Sequence, residues 1–283
     1  MHHQTTLRSA IEFSGVGLHT GRPARVRVLP APAGSGLRFR LDDAVEFPAH
    51  PDYVVDTRRA TVLGLGEHRV STVEHLLSAL CGCGVTNASI AVDGPEIPAA
   101  DGSALEFVRA IDAAGIVEQV PAQLRNVIRE PHLFRDGDKL LAVVPAPAFR
   151  VRMTIDFPAP VGAQYVDYDS STAAYRSAIA PNRTFGFRHE VEALLARGLA
   201  MGGSLDNAVV FDTDGPMSPL RAADEPARHK ILDLIGDLAL SGMNLTGRIV
   251  AYRSGHPLNV EMAKTLVGMA RQNGAPAPLL LAA

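Results

Sequence analysis

The chain is poor in sulfur: its 283 residues include two cysteines, Cys81 and Cys83, parted only by Gly82. That spacing is too short for an ordinary structural disulfide, so the pair reads as two small buried residues in a reducing compartment. An excess of either charge is also missing, since 27 basic side chains against 30 acidic ones leave a formal net charge of -3. Such a balance gives no bulk attraction for nucleic acid or an anionic membrane, and any anion site must be local. No apolar run reaches the ~20 residues that a bilayer-spanning helix needs. Met1 to Ser9 is polar and lacks the apolar centre of a secretory signal. Together these absences point to a cytoplasmic protein without stable membrane insertion.

What is present is apolar material, 47% of the residues, enough to fill real cores. The stretch Ala113 to Val127 runs from a helix end at Gly115 through Pro121 into a β-like segment, which places a domain boundary there. Residues 1–120 and 125–283 then form two domains. Each closes in the same order of helix, short apolar strand, loop and helix. In the first these are Ser71 to Cys81, Thr86 to Val92, Asp93 to Gly102 and Ser103 to Ala114. In the second they are Glu225 to Gly242, Gly247 to Tyr252, Arg253 to Pro257 and Leu258 to Gln272. Earlier β-rich segments, Arg25 to Leu29, Leu140 to Val144 and Val151 to Phe157, complete a two-domain α+β reading with an internal repeat.

The strongest local signal is Arg228 to Leu238. At about 100° per residue, His229, Asp233 and Asp237 fall in one sector with Lys230 beside them, while Ile231, Leu232, Leu234, Ile235 and Leu238 cover the other. The plain alternative is a solvated helix face. Solvated faces favour long helix formers, however, and His and Asp at i, i+4 can meet one metal ion. A third ligand is sought on the matching first-half helix, where Glu74 and His75 project away from the stripe of Val73, Leu76, Leu77 and Leu80. His75 in a first turn would feel the positive helix end, which disfavours imidazolium and leaves a lone pair free. Ser71 and Glu74 match a capping box, so Glu74 is either a helix cap or a base toward an attacking water. Two His and one Asp leave an open coordination position, as catalytic zinc requires. A cationic group is then wanted for the leaving amine, and His256, in a loop equivalent to that of Asp101, is the candidate against the alternative of an idle exposed residue.

With these residues in view, the chain resembles the UDP-3-O-acyl-N-acetylglucosamine deacetylases, which catalyse the committed step of lipid A synthesis in Gram-negative bacteria. The resemblance spans nearly the whole sequence. It is carried by Gly15-Val16-Gly17-Leu18-His19-Thr20-Gly21, Ser71 to Leu76, Glu96-Ile97-Pro98 with Asp101-Gly102-Ser103, Arg183 to Phe187, Arg228 to Asp237, and Ser254-Gly255-His256. It implies zinc, with iron(II) able to compete, bound by His75, His229 and Asp233, with Glu74 as general base and His256 as general acid. It further implies that Thr184 assists the oxyanion, that Lys230 and Asp237 orient substrate and catalytic His, and that Phe185 lies against the sugar. Asp156 and Phe157 match a uridine-contacting pair. Arg253 stands where the family usually has Lys, preserving a cation for the diphosphate with altered geometry. The implied fold is two β/α sandwich domains facing each other across the active site, each with an insert. The second insert, near residues 190–210, would form a passage for the substrate's acyl chain, lined by residues such as Val191 and Val210, with Gly203 and Ser204 at its bend. Two rivals stay open: a zinc amidase for another acetylated sugar or peptide, and a silent sugar-nucleotide binding protein, against which retention of Glu74, His75, His229, Asp233 and His256 argues.

Overall fold

Two five-stranded sheets with the same internal order organise the computed structural model, which describes residues 2–42, 45–123, 125–242 and 244–272. In the first sheet the strands run Ile11–Val16, Pro23–Pro30, Ala88–Asp93, Leu37–Leu41, Val45–Pro48. In the second they run His132–Asp136, Lys139–Val144, Arg248–Tyr252, Arg150–Asp156, Ala163–Asp169. Each central strand is antiparallel to the hairpin on one side and parallel to the hairpin on the other. The parallel pairing demands a long crossover, and in both halves that crossover carries the insert and a helix.

Strand residues alternate as one-sided sheets require. Ala24, Val26 and Val28 are buried while Arg25 and Arg27 face out, and Val151, Met153 and Ile155 repeat the pattern. The buried faces are covered by Glu74–Gly82 and Leu105–Ala114 in the first half and by Glu225–Ala239 and His256–Gln272 in the second. The internal repeat expected from element order is therefore present, in strand order as well as in helices. Of the stretch expected to divide the halves, Leu124 lies outside the described residues. Ile116–Gln123 pairs back with His2–Leu7, and Arg125–Val127 pairs with Asn244–Thr246.

Several expected boundaries shift for local reasons. The first helix starts at Glu74 and not Ser71, because Thr72 has φ +58 and Ser71 bridges to Glu96. Its end is set by Gly84 at φ +83, where Val85 N–H reaches the Leu80 carbonyl. The last helix begins at His256 and not Leu258, since Pro257 is tolerated in a first turn, where its missing N–H costs nothing. Of the two cysteines only Cys83 is buried; Cys81 is exposed.

The inserts are small sheets. The first joins Val54–Asp56, Val62–Leu65 and His68–Val70; the second joins Phe185–Phe187, Val209–Asp212 and Gly215–Pro216 and includes the Arg188–Leu195 helix. That helix buries none of its residues, so its apolar side chains are not plain core. The halves meet closely where the Glu74–Gly82 and Glu225–Ala239 helices cross. A Cβ on Gly236 would stand 2.0 Å from the Glu74 carbonyl oxygen, so the absence of a side chain is what allows the approach. Glycine inside a helix costs about 1 kcal/mol against alanine. No helix among the described residues is long and apolar enough to cross a membrane.

Candidate active site

The Glu225–Ala239 helix turns its polar sector inward. His229, Asp233 and Asp237 are 2%, 3% and 1% exposed, which removes the solvated-face alternative. A polar stripe buried this deeply must find partners or bind something, because an unpaired buried charge is costly. His75 arrives from the crossing helix, and the ligand atoms of His75, His229 and Asp233 lie within 4.8 Å of one another. Asp233 Oδ1 is 3.2 Å from His229 Nε2 and 3.6 Å from His75 Nε2, and it is buried without a hydrogen-bond partner. The Asn182 carbonyl lies 3.1 Å from His229 Nδ1, so that nitrogen carries the proton and Nε2 offers its lone pair. An orphaned carboxylate oxygen beside two imidazole nitrogens, one of them oriented from behind, fits a divalent metal with N and O ligands.

The electrostatics of the trio follow from burial and neighbours. Burial pushes His229 down to about 4, despite the Asp233 carboxylate. Burial opposes ionisation of Asp233, yet His229 and Lys230 hold it well below the usual carboxylate range. Lys230 donates to Asp233 Oδ2 at 2.8 Å and so orients that carboxylate. His75 departs from expectation. Burial lowers it, but the Asp233 and Glu74 carboxylates outweigh burial, and the group sits above its ordinary value.

Glu74 adjoins this cluster. Its Oε2 accepts from the Thr61 amide at 3.0 Å, and the helix's N-cap is Val73 without a side-chain bond, so the capping box does not form. Burial raises the Glu74 carboxyl above its ordinary value, offset in part by His256 and His75. Glu74 Oε1 stands 3.8 Å from His256 Nε2. His256 is no idle loop residue: it is 7% exposed, and its Nδ1 lies 2.8 Å from Asp237 Oδ2. Burial alone would lower His256, but Asp237 and Glu74 override it and hold the group up at about 9. A raised carboxyl and a raised imidazole on either side of one point are the pattern of paired base and acid.

The pH dependence has a defined sign. With Glu74 as base and His256 as acid, the assignment proposed below, kcat/KM should fall as pH drops through the raised Glu74 value and again as pH rises through about 9. Asp237→Asn removes the carboxylate favouring imidazolium and should move the basic limb down by about 1–3 units. Profiles measured on metal-replete proteins check this; a basic limb unmoved in Asp237→Asn assigns it to another group.

Thr184 follows the Asn182 carbonyl by two residues and is tied through its own amide to the Gly102 carbonyl at 2.9 Å. Phe185 lies 6.4 Å from the His229 ring and 5.2 Å from Phe157, which continues the aromatic floor outward. Asp156 accepts from the Tyr252 hydroxyl, and Arg253 sits 3.8 Å from Asp156 and 2.7 Å from Asp138. Val191 and Val210 are half-buried on the second insert, while Gly203 and Ser204 are exposed. The close approach in that bend is made at Gly202, whose Cβ would lie 2.2 Å from the Gly17 carbonyl oxygen. Met201 and Gly202 amides bond the carbonyls of His19 and Leu18, joining the insert to the first half. Sequence reasoning missed Thr61, Asn182 and Asn259. Asn259, one turn after His256, carried a legible signal; the other two act from loops distant in sequence.

A buried His, His, Asp cluster flanked by a matched carboxylate and imidazole makes the chain a metal-dependent hydrolase. It belongs to the LpxC family, UDP-3-O-acyl N-acetylglycosamine deacetylase, whose pattern matches residues 4–268. Proteins named UDP-3-O-acyl-N-acetylglucosamine deacetylase are similar to it along nearly all of its length. One from an Anaeromyxobacter species is 47% identical over 269 residues, 94% of this chain and 88% of the relative. Another from Syntrophotalea carbinolica is 43% identical over 276 residues, 95% and 89%, and a third from a Nostoc species is 45% identical over 276 residues, 94% and 99%.

Proposed function

We propose that the protein hydrolyses the acetamide of UDP-3-O-(3-hydroxyacyl)-N-acetylglucosamine to acetate and the free amine, with one zinc ion held by His75, His229 and Asp233. The reading makes it the committed enzyme of lipid A biosynthesis, a cytoplasmic monomer. Its first domain, 1–120, supplies Glu74 and His75. The second, 125–283, supplies His229, Asp233 and His256. The observation that carries this is the Glu74 and His256 pair, 3.8 Å apart beside the three-ligand cluster.

Zinc, when bound, polarises the amide carbonyl and acidifies water. Glu74 takes one proton from the attacking water, whose oxygen forms the new bond to the acetyl carbon. His256, protonated on both nitrogens with Nδ1–H directed at Asp237, gives its Nε2 proton to the sugar nitrogen as the C–N bond breaks. The Thr184 hydroxyl faces the developing oxyanion and Lys230 aids in orienting substrate. Phe185 packs on the sugar, Asp156 and Phe157 hold uridine, and the Arg253 guanidinium serves the diphosphate. The same donor set accepts iron(II).

Incubating the purified protein with the acylated UDP-sugar and measuring acetate tests the reading. Release should stop with a chelator and return with zinc; comparison with iron(II) reloading decides the metal. Chelator-insensitive release would overturn it, and equal release from simple N-acetyl sugars would favour the broader amidase. The insert at 190–210 makes a separate prediction. Each acyl methylene buried there should contribute about 0.8 kcal/mol, so kcat/KM should rise with chain length. Equal values for acylated and non-acylated UDP-N-acetylglucosamine would remove Val191, Gly203, Ser204 and Val210 from substrate contact.

A further inference from the structure

Thr61 is wholly buried and immediately precedes the Val62–Leu65 strand of the first insert. All its polar atoms are engaged in the active site. The amide donates to Glu74 Oε2 at 3.0 Å, and the hydroxyl donates to Asp237 Oδ1 at 2.6 Å. His256 Nδ1 lies 3.3 Å from the same hydroxyl, and the carbonyl accepts from Val73 N–H, just ahead of the Glu74 helix. Glu74 belongs to the first half, whereas Asp237 and His256 belong to the second.

We propose that Thr61 is the positioning residue that sets the acid against the base, an inference resting on the assignment of Glu74 and His256 to those roles. Each carboxylate has two oxygens, and Thr61 occupies one on each. With Glu74 Oε2 held by the amide, Oε1 is the oxygen turned toward His256 Nε2. With Asp237 Oδ1 held by the hydroxyl, Oδ2 is left for His256 Nδ1 and for the Asn259 amide at 2.9 Å. The carboxylate plane is thereby fixed, and the imidazole that leans on it points at the reacting nitrogen. A branched Cβ restricts χ1, so the hydroxyl is presented in one direction. Valine keeps this shape without the donor; serine keeps the donor.

The test compares Thr61→Val and Thr61→Ser on the metal-replete enzyme. Loss of an orienting partner of this kind typically lowers activity by about 10- to 100-fold, and for Thr61→Val that loss should appear in kcat, with KM and metal stoichiometry unchanged. Thr61→Ser should retain most of the rate. In a His256→Ala background, Thr61→Val should cost little more, because the group it positions is gone. Wild-type kcat in Thr61→Val overturns the proposal. So does metal loss in that variant, or an undiminished extra loss in the His256→Ala background, either of which marks a packing role. A His256→Ala enzyme as active as wild type removes the acid assignment itself, and this proposal with it.

Discussion

His75→Ala and His229→Ala proteins should fold, retain no tightly bound metal, and lose acetate release to the background of the assay. The three proposed ligands come from two crossing helices, so neither half would hold the ion alone. Removing either imidazole leaves one nitrogen and a carboxylate that Lys230 already engages through its other oxygen. Metal analysis after dialysis gives the direct readout. Melting temperature gives an independent one, because a metal that binds only the folded state stabilises it by about 2.7 kcal/mol at a hundred times its Kd. That increment should be present in the wild type and missing in both variants. Unchanged stoichiometry in the two proteins would take these residues out of the metal shell.

Glu74→Gln should leave fold and metal intact and slow turnover by about 100-fold or more. The amide oxygen of Gln can still accept the Thr61 N–H, so the local hydrogen bond and the helix start survive. What is lost is the lone pair that takes the water proton, since the amide nitrogen offers none. The melting temperature should therefore stay near that of the wild type while kcat falls. Near wild-type turnover would end the assignment of Glu74 as base. Glu74→Ala should do more damage to stability, because it leaves the buried Thr61 amide without its acceptor.

The chain's local periodicity made much of this legible. His229, Asp233 and Asp237 recur every four residues with apolar neighbours between them, which places them on one helical face whatever the tertiary fold. The repeated order of helix, strand, loop and helix showed two related halves before any strand pairing was known. Helix ends were less secure. Gly115 marked one correctly, but Pro257 looked like a breaker when it occupies the first turn of a helix, and Thr72 delays the Glu74 helix by a backbone twist that composition does not announce.

The sequence by itself determined residue spacing, the sides of helices and strands, the lack of bulk charge and, through its likeness to a family, the roles expected of Glu74, His75, His229, Asp233 and His256. It could not say whether the polar face of the Glu225–Ala239 helix met water or another helix, because periodicity records direction and not what lies in that direction. Only the tertiary structure decided that the face is buried, that Glu74 serves Thr61 and not its own helix end, and that Arg253 leans on Asp138. Those outcomes depend on segments such as Asn182 and His229 meeting across 47 residues. The strand order of two sheets and the close crossing at Gly236 bring them together, and no short window of sequence contains that information.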